Sequence, residues 1–369
     1  MRGARTGLAA IFVVVLAAAS ACTAQEPRDA VPSSIAPEVP SASPSAASGP
    51  WIVSGEPATL AQGLVAPWSV VALPGGGALV AERDAGLIRE LVPGGALRDV
   101  GTVPGVVAGG ESGLHGLAIR GDLLYAYFGA ADDNRVVRMP LIGRAGALSV
   151  GAAELVFEGI PRASTHNGGR IAFGPDGYLY IATGDAQNRD AAQDRASLGG
   201  KILRVTPDGA PAPGNPFGSA VWSFGHRNVQ GLAWTADGTM WASEFGQNTW
   251  DELNRIEAGS NYGWPVVEGA AGDDRFVDPV VVWTPAEASP SGIAAVGETV
   301  FVAGLRGERL WAVDARTGGA SVVLDGQGRL RDAVAAPDGS LWVLTNNTDG
   351  RGAPRPADDV LLRVPLSPG

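Results

Sequence analysis

Six times along the chain a tight polar turn runs into a short apolar stretch. The copies are LPGGGALVAE from Leu73, IRGDLLYAYFGA from Ile119, FGPDGYLYIATGD from Phe173, WTADGTMWASEFG from Trp234, AVGETVFVAG from Ala295 and APDGSLWVLTN from Ala336. Glycine with Asp or Asn at a turn, followed by β-branched and aromatic residues, is the pattern of a hairpin. The turns recur every 40 to 60 residues or so, enough chain for one four-stranded antiparallel sheet per copy. Long amphipathic helical periodicity is scarce. The pattern therefore predicts an all-β fold, a six-bladed β-propeller with four-stranded blades, closed by strands from both ends of the chain. A propeller binds its ligand where the blades converge, so the functional residues should come from several blades and lie in the connecting loops.

The pattern stops short of the N-terminus. Residues 23–50 are rich in Pro, Ser and Ala and lack the apolar surface to offset their ordering entropy. They read as a flexible tether, and the propeller is expected to occupy residues 51–369. Ahead of the tether, Arg2 and Arg5 precede an apolar run from Leu8 to Ala19, then small residues and Cys22. That run is a signal peptide of residues 1–21, short for a membrane-spanning helix. Ala19-Ser20-Ala21-Cys22 resembles a bacterial lipobox, so residues 22–50 are expected to form a linker lipid-anchored through Cys22. The expected location is the outer face of the cytoplasmic membrane, or the exterior if the protein is simply secreted. Cys22 is the only cysteine, so no disulfide forms within the chain.

The formal net charge is −11, which excludes a nucleic-acid partner, since phosphates demand a basic face. Lys201 is the only lysine; every other basic side chain is arginine. Arginine offers a planar fork of donors suited to carboxylates, so a small cluster can hold an anionic ligand inside an acidic shell.

Three segments carry candidate chemistry: THNGGRIAFGPDGYLYIATGD from Thr165, FGHRNVQGLAW from Phe224, and SEFGQNTWDELNRIEAGSNYGWP from Ser243. With ESGLHGLAI from Glu111 and RLRDAVAAPDGSLWVLTN from Arg329, they closely resemble the core motifs of the soluble aldose dehydrogenases of the glucose/sorbosone dehydrogenase family. That resemblance covers most of Trp51 to Leu366. It implies oxidation of an aldose at the anomeric carbon to a lactone, with hydride passing to pyrroloquinoline quinone (PQQ) held with calcium. The reaction also releases a proton, for which imidazole is a natural acceptor near neutral pH. The resemblance puts the general base on His166 and an orienting carboxylate on Asp185. It gives His226 a structural or cofactor-shell role, while His115 reads as a packing or outer-shell residue.

PQQ carries three carboxylates and needs cations around its rim. Arg227 and Asn228 match positions beside the cofactor. Arg329 and Arg331 match a carboxylate-binding pair, and alternation in an extended strand would put both on one face. Arg306 matches a position where relatives carry lysine or arginine. Calcium takes oxygen ligands; the resemblance puts a cofactor-bridging ion on the carbonyls of Gly246 and Gln247, and a second, structural ion on Glu252 and the carbonyl of Tyr262. On the substrate side, Glu111 stands where glucose-oxidising relatives have glutamine, and Thr165 where they have aspartate. The loop after Asp185 is short and lacks an obvious glutamine match, and a shorter, more open loop set implies broader aldose acceptance. Two other readings remain: a calcium-dependent lactonase propeller, which needs a metal held by several carboxylate or amide side chains, and a non-catalytic cell-surface binding propeller.

Overall fold

The computed structural model describes residues 49–369; the leader, Cys22 and most of the tether lie outside the described residues. Six antiparallel sheets account for nearly all the regular structure, and each predicted turn is the hairpin joining the first two strands of one sheet. Blade 1 comprises Pro67–Ala72, Ala78–Glu82, Leu87–Leu91 and Leu97–Thr102. Blade 2 comprises Leu114–Arg120, Leu123–Gly129 and Asn134–Ile142, whose outer edge is shared by Ser149–Val150 and Glu154–Ile160. Blade 3 is built from Ile171–Phe173, Leu179–Ala182, Lys201–Val205 and Val221–Phe224, and blade 4 from Val229–Trp234, Met240–Glu244, Asp251–Ile256 and Val281–Trp283. Blade 5 holds Pro290–Val296, Thr299–Gly304, Leu310–Asp314 and Ala320–Leu324.

Blade 6 closes the ring. Its inner three strands, Leu330–Ala335, Leu341–Thr345 and Val360–Val364, come from the C-terminus, and its outer strand, Ala58–Gln62, comes from the N-terminal side. Ala58 pairs with Arg363, and Gln62 with Val360. Closure by both ends removes the free sheet edges that an open stack would expose. A separate ribbon, Trp51–Val53 against Leu366–Pro368, fastens the two ends of the propeller.

The first strand of each blade lies innermost, and the six inner strands pack in succession around a central channel. Between blades, alternate side chains of facing sheets interdigitate. Leu114, Leu124, Phe128 and Met139 of blade 2 pack on Leu79 and Ile88 of blade 1, all essentially inaccessible to water. Equivalent layers, such as Phe301, Leu310, Leu341 and Val343 between blades 5 and 6, complete the core.

One irregularity recurs. In five blades the pairing of the inner strand with its neighbour slips near the start of the inner strand: at Trp68, at His115–Gly116, at Gln230, at Ser291–Gly292 and at Arg331. A β-bulge of this kind leaves a residue without a partner and re-aims its side chain. Trp68, His115, Gln230 and Arg331 all line the same cavity at that end of the channel. The structure thus differs from a simple alternation argument for Arg329 and Arg331. Arg329 precedes the strand and Arg331 sits in the bulge.

Candidate functional site

The cavity measures about 450 Å³ and opens at the channel mouth opposite the six hairpin turns. Six arginines line it, Arg83, Arg227, Arg306, Arg329, Arg331 and Arg351, against two carboxylates, Glu111 and Asp251. On a chain of net charge −11 that is a local excess of positive charge, suited to an anionic ligand.

His166 enters this cavity from the loop before blade 3. Its backbone is left-handed, with φ of +58°, as it is at Ala186 and Gln187 across the site. Non-glycine residues rarely adopt that conformation, and where they do, surrounding contacts must hold them. Here the amide of His166 donates to a carboxylate oxygen of Glu111 at 2.9 Å. The other Glu111 oxygen accepts from Arg351 at 2.8 Å, and the Glu111 carbonyl accepts from His115 Nε2 at 2.8 Å. His166 Nδ1 lies 2.8 Å from Oδ1 of Asp185. Asp185 Oδ2 accepts from the indole of Trp264 at 2.8 Å, and Oδ1 also accepts from the amide of Gln187. Burial alone would push the Asp185 carboxyl up, but these hydrogen bonds, that from His166 foremost, hold it below the usual carboxylate range. Asp185 is therefore ionised, and its partners assign the proton of His166 to Nδ1. The Nε2 lone pair faces the cavity, where Nη2 of Arg227 donates to it at 3.0 Å.

Arg227 also donates to the carbonyl of Phe245 and lies over the Trp264 ring, and burial lowers its pKa. Its Nε and the side-chain nitrogen of Asn228 are buried without a protein partner. The Asn228 oxygen accepts from the amide of Gly168, which ties blade 4 to the histidine loop. Arg329 and Arg331 converge on one buried carboxylate, Asp349, at 3.2 and 3.7 Å. Arg331 donates further to Gln230 at 2.9 Å, and burial pushes its pKa down to about 9. Nε of Arg329 has no partner among the described residues. Arg306 is exposed at the rim. His166, Arg227, Asn228, Arg306, Arg329, Arg331, Glu111, Gly246 and Gln247 thus share one cavity.

Glu252 and Tyr262 are placed elsewhere, beneath the wall. Glu252 is the cross-strand partner of Glu244, and Asn254 donates to both acids. Burial raises both carboxyls, Glu244 to about 7. His226 lies against this pair, bonded to Ser223 at 2.8 Å and to Glu244 at 3.2 Å, with the Tyr262 ring stacked on it. Burial drives its pKa down to about 3, so it is neutral. His115 is likewise neutral, buried between Trp68 and Tyr127 with its pKa pushed to about 4. Among the described residues no group of three or more His, Cys, Asp or Glu side chains is placed to hold a metal ion.

Several participants carry no sequence signal of their own. Arg351 sits in a DGRG turn and reads as a solvated charge; only the fold brings it to Glu111. Asp349 reads as a turn aspartate, and Trp264 is legible only as part of NYGWP. Gln230 stands inside GHRN-x-QG and could have been singled out from that motif.

The family described as Glucose / Sorbosone dehydrogenase matches residues 64–362. The PQQ-bound aldose sugar dehydrogenase of Streptomyces coelicolor superposes with a TM-score of 0.81 at 49% identity, covering 85% of this chain and 99% of that one. The aldose sugar dehydrogenase YliI of Escherichia coli is 29% identical over 330 residues, 77% of this chain and 88% of that protein. Quinoprotein glucose dehydrogenase B of Acinetobacter calcoaceticus is 31% identical over 235 residues, 53% of this chain and 49% of that protein.

Proposed function

The chain belongs to the glucose/sorbosone dehydrogenase family and is a PQQ-dependent sugar oxidoreductase, and on that premise we propose that it oxidises aldoses to lactones with His166 as general base and calcium beside the quinone. One observation carries the reading: an imidazole held through Nδ1 by a buried carboxylate, with Nε2 turned into an arginine-lined cavity.

The residues present fit the cofactor. A tricarboxylate asks for several guanidinium groups, and the cavity offers six, with unpartnered donors on Arg227, Asn228 and Arg329 at its wall. Arg329 and Arg331 would hold its carboxylates from blade 6, and Arg227 and Asn228 would hold it from blade 4. PQQ supplies the hydride acceptor when bound. Calcium fits the donor chemistry of Gly246 and Gln247, whose carbonyls accept no hydrogen bond from the described residues. Glu244 and Glu252, two desolvated acids facing one another, are the kind of pair that a second calcium, held by Glu252 and the carbonyl of Tyr262, would relieve.

The protein's own part is to receive the proton. Asp185 fixes the tautomer so that Nε2 is free to accept from a sugar hydroxyl, and it stabilises the imidazolium that results. Arg227 keeps Nε2 aimed into the cavity until a hydroxyl replaces it. Glu111 fixes the strained backbone of His166 and, with Arg351, walls the substrate side. For the exported protein we infer a leader over residues 1–21 and anchoring at Cys22.

Adding PQQ and calcium to the purified apo-protein is expected to give dye-linked oxidation of several aldoses. A protein that binds PQQ but turns over no sugar across a broad panel defeats the aldose assignment. One that needs no calcium defeats the metal part alone.

A further inference from the structure

We propose that Lys201 is a positioning residue for the reaction: its ammonium clamps the segment between the second and third strands of blade 3 and thereby sets the Asp185 carboxylate against His166. The inference rests on the reading of His166 as the base. Lys201 is fully buried at the start of the third strand. Its Nζ donates to three backbone carbonyls, those of Ala191, Ala192 and Gly199, at 2.7, 3.0 and 2.6 Å. Three donors meet three acceptors, and among the described residues no carboxylate touches the ammonium. Burying a charge with only carbonyls around it is costly. Burial pulls the pKa of this lysine down to about 7, opposed only by the more distant Asp194.

The segment it grips is irregular and is tied besides by Thr183, whose hydroxyl donates to the Leu198 carbonyl, and by Arg189, whose guanidinium lies over the Trp264 ring. Residues 186–200 form no strand, and their one helical element is the single turn Arg189–Ala192. Two of the gripped carbonyls lie in that turn, where the Ala191 oxygen also accepts from the amide of Asp194 at 3.2 Å and the Ala192 oxygen from that of Gly225 at 2.9 Å, so the ammonium is a second donor to each. Beside them, Gln193 extends the arrangement towards the site. Its Nε2 donates to the Asn261 oxygen at 2.9 Å and to the Trp264 carbonyl at 2.7 Å, and its oxygen accepts from Asn261 at 2.8 Å. Trp264 in turn holds Asp185 Oδ2, while Oδ1 holds His166. The contacts therefore run from Lys201 through Gln193 and Trp264 to the carboxylate that orients the base. A shift of about 1 Å in such a partner is enough to cost a large factor in rate.

The test is made on the apo-protein and on the reconstituted enzyme. A histidine N–H held by a carboxylate gives a far-downfield proton resonance. With three histidines in the chain, His166→Ala identifies the one from Nδ1. Lys201→Met is expected to broaden or abolish that resonance and to lower kcat at least about tenfold, with PQQ affinity within about twofold, because Arg329 and Arg331 lie on another blade. Gln193→Ala leaves the lysine intact and breaks the next contact; it should lose the same resonance, and it decides the question if Lys201→Met fails to fold. Val313→Ala, in the core of blade 5, supplies comparable destabilisation far from these contacts and should keep the resonance. An intact resonance in the Lys201 or Gln193 variant overturns the proposal, as does its loss in the Val313 variant. If His166→Ala retains turnover, the base assignment fails while the resonance still reports whether Lys201 positions Asp185.

Discussion

The two mouths of the central channel are built from the same six strands and could hardly differ more. At the hairpin end, the inner strands present Val70, Leu117, Ile171, Leu232, Ile293 and Ala333 in regular pairing, joined by short turns. At the other end five of these strands bulge, the connections lengthen, and Trp68, His115, Gln230 and Arg331 turn inward beside His166. Near the middle, Arg170 and Asp332 form a buried ion pair at 2.8 Å, with the guanidinium over Trp68. Regular pairing makes a packed apolar wall, whereas interrupted pairing frees polar side chains to converge. The ring is the scaffold, and its chemistry sits where that regularity fails.

The sharpest way to break this contrast is at the proposed base. His166→Ala should lower kcat roughly 10³-fold, the scale of a lost general base, while PQQ affinity measured by titration stays near that of the parent protein. Turnover within tenfold of the parent protein would move the chemistry elsewhere.

The polar mouth should also be the acid-sensitive one. His115 titrates near 4 when folded and near 6.5 when unfolded, so between these values only the unfolded chain takes the proton. Its contribution to stability is complete above about pH 6.5 and falls away towards pH 4, by about 3 kcal/mol in all. Denaturant unfolding at stepped pH should show this slope, and His115→Leu should reduce it, leaving the part that His226 contributes in the same direction.

Arg329→Ala removes one of the two guanidinium groups beside Asp349 and should weaken PQQ binding about tenfold or more in a fluorescence titration. Unchanged affinity would assign Arg329 to packing. The mildest change belongs to the apolar mouth. Ile171→Val, in the first strand of blade 3, should cost about 1 kcal/mol of stability and leave both kcat and PQQ affinity unchanged. A kinetic effect there would show that the two mouths are coupled.

Much of the fold was legible because it depends on local, repeated signals. Each hairpin needs its own turn chemistry and its own alternation, and these can be read within about ten residues. The His166 loop and Arg227 were legible through their motifs, HNGGR and GHRN. Arg351, Asp349 and Lys201 were not. A turn arginine, a turn aspartate and a strand lysine look ordinary until the ring closes. Only then does Arg351 meet Glu111 across 240 positions of sequence, and Lys201 find three carbonyls.

The amino-acid order alone determined six hairpins, an all-β ring and the residue types that could act as base and anion holders, because these follow from short-range patterning. Which strands bulge, which arginines share a carboxylate and which way the His166 imidazole faces were decided only by ring closure. Such outcomes depend on contacts between blades distant in sequence, and no local pattern encodes their geometry.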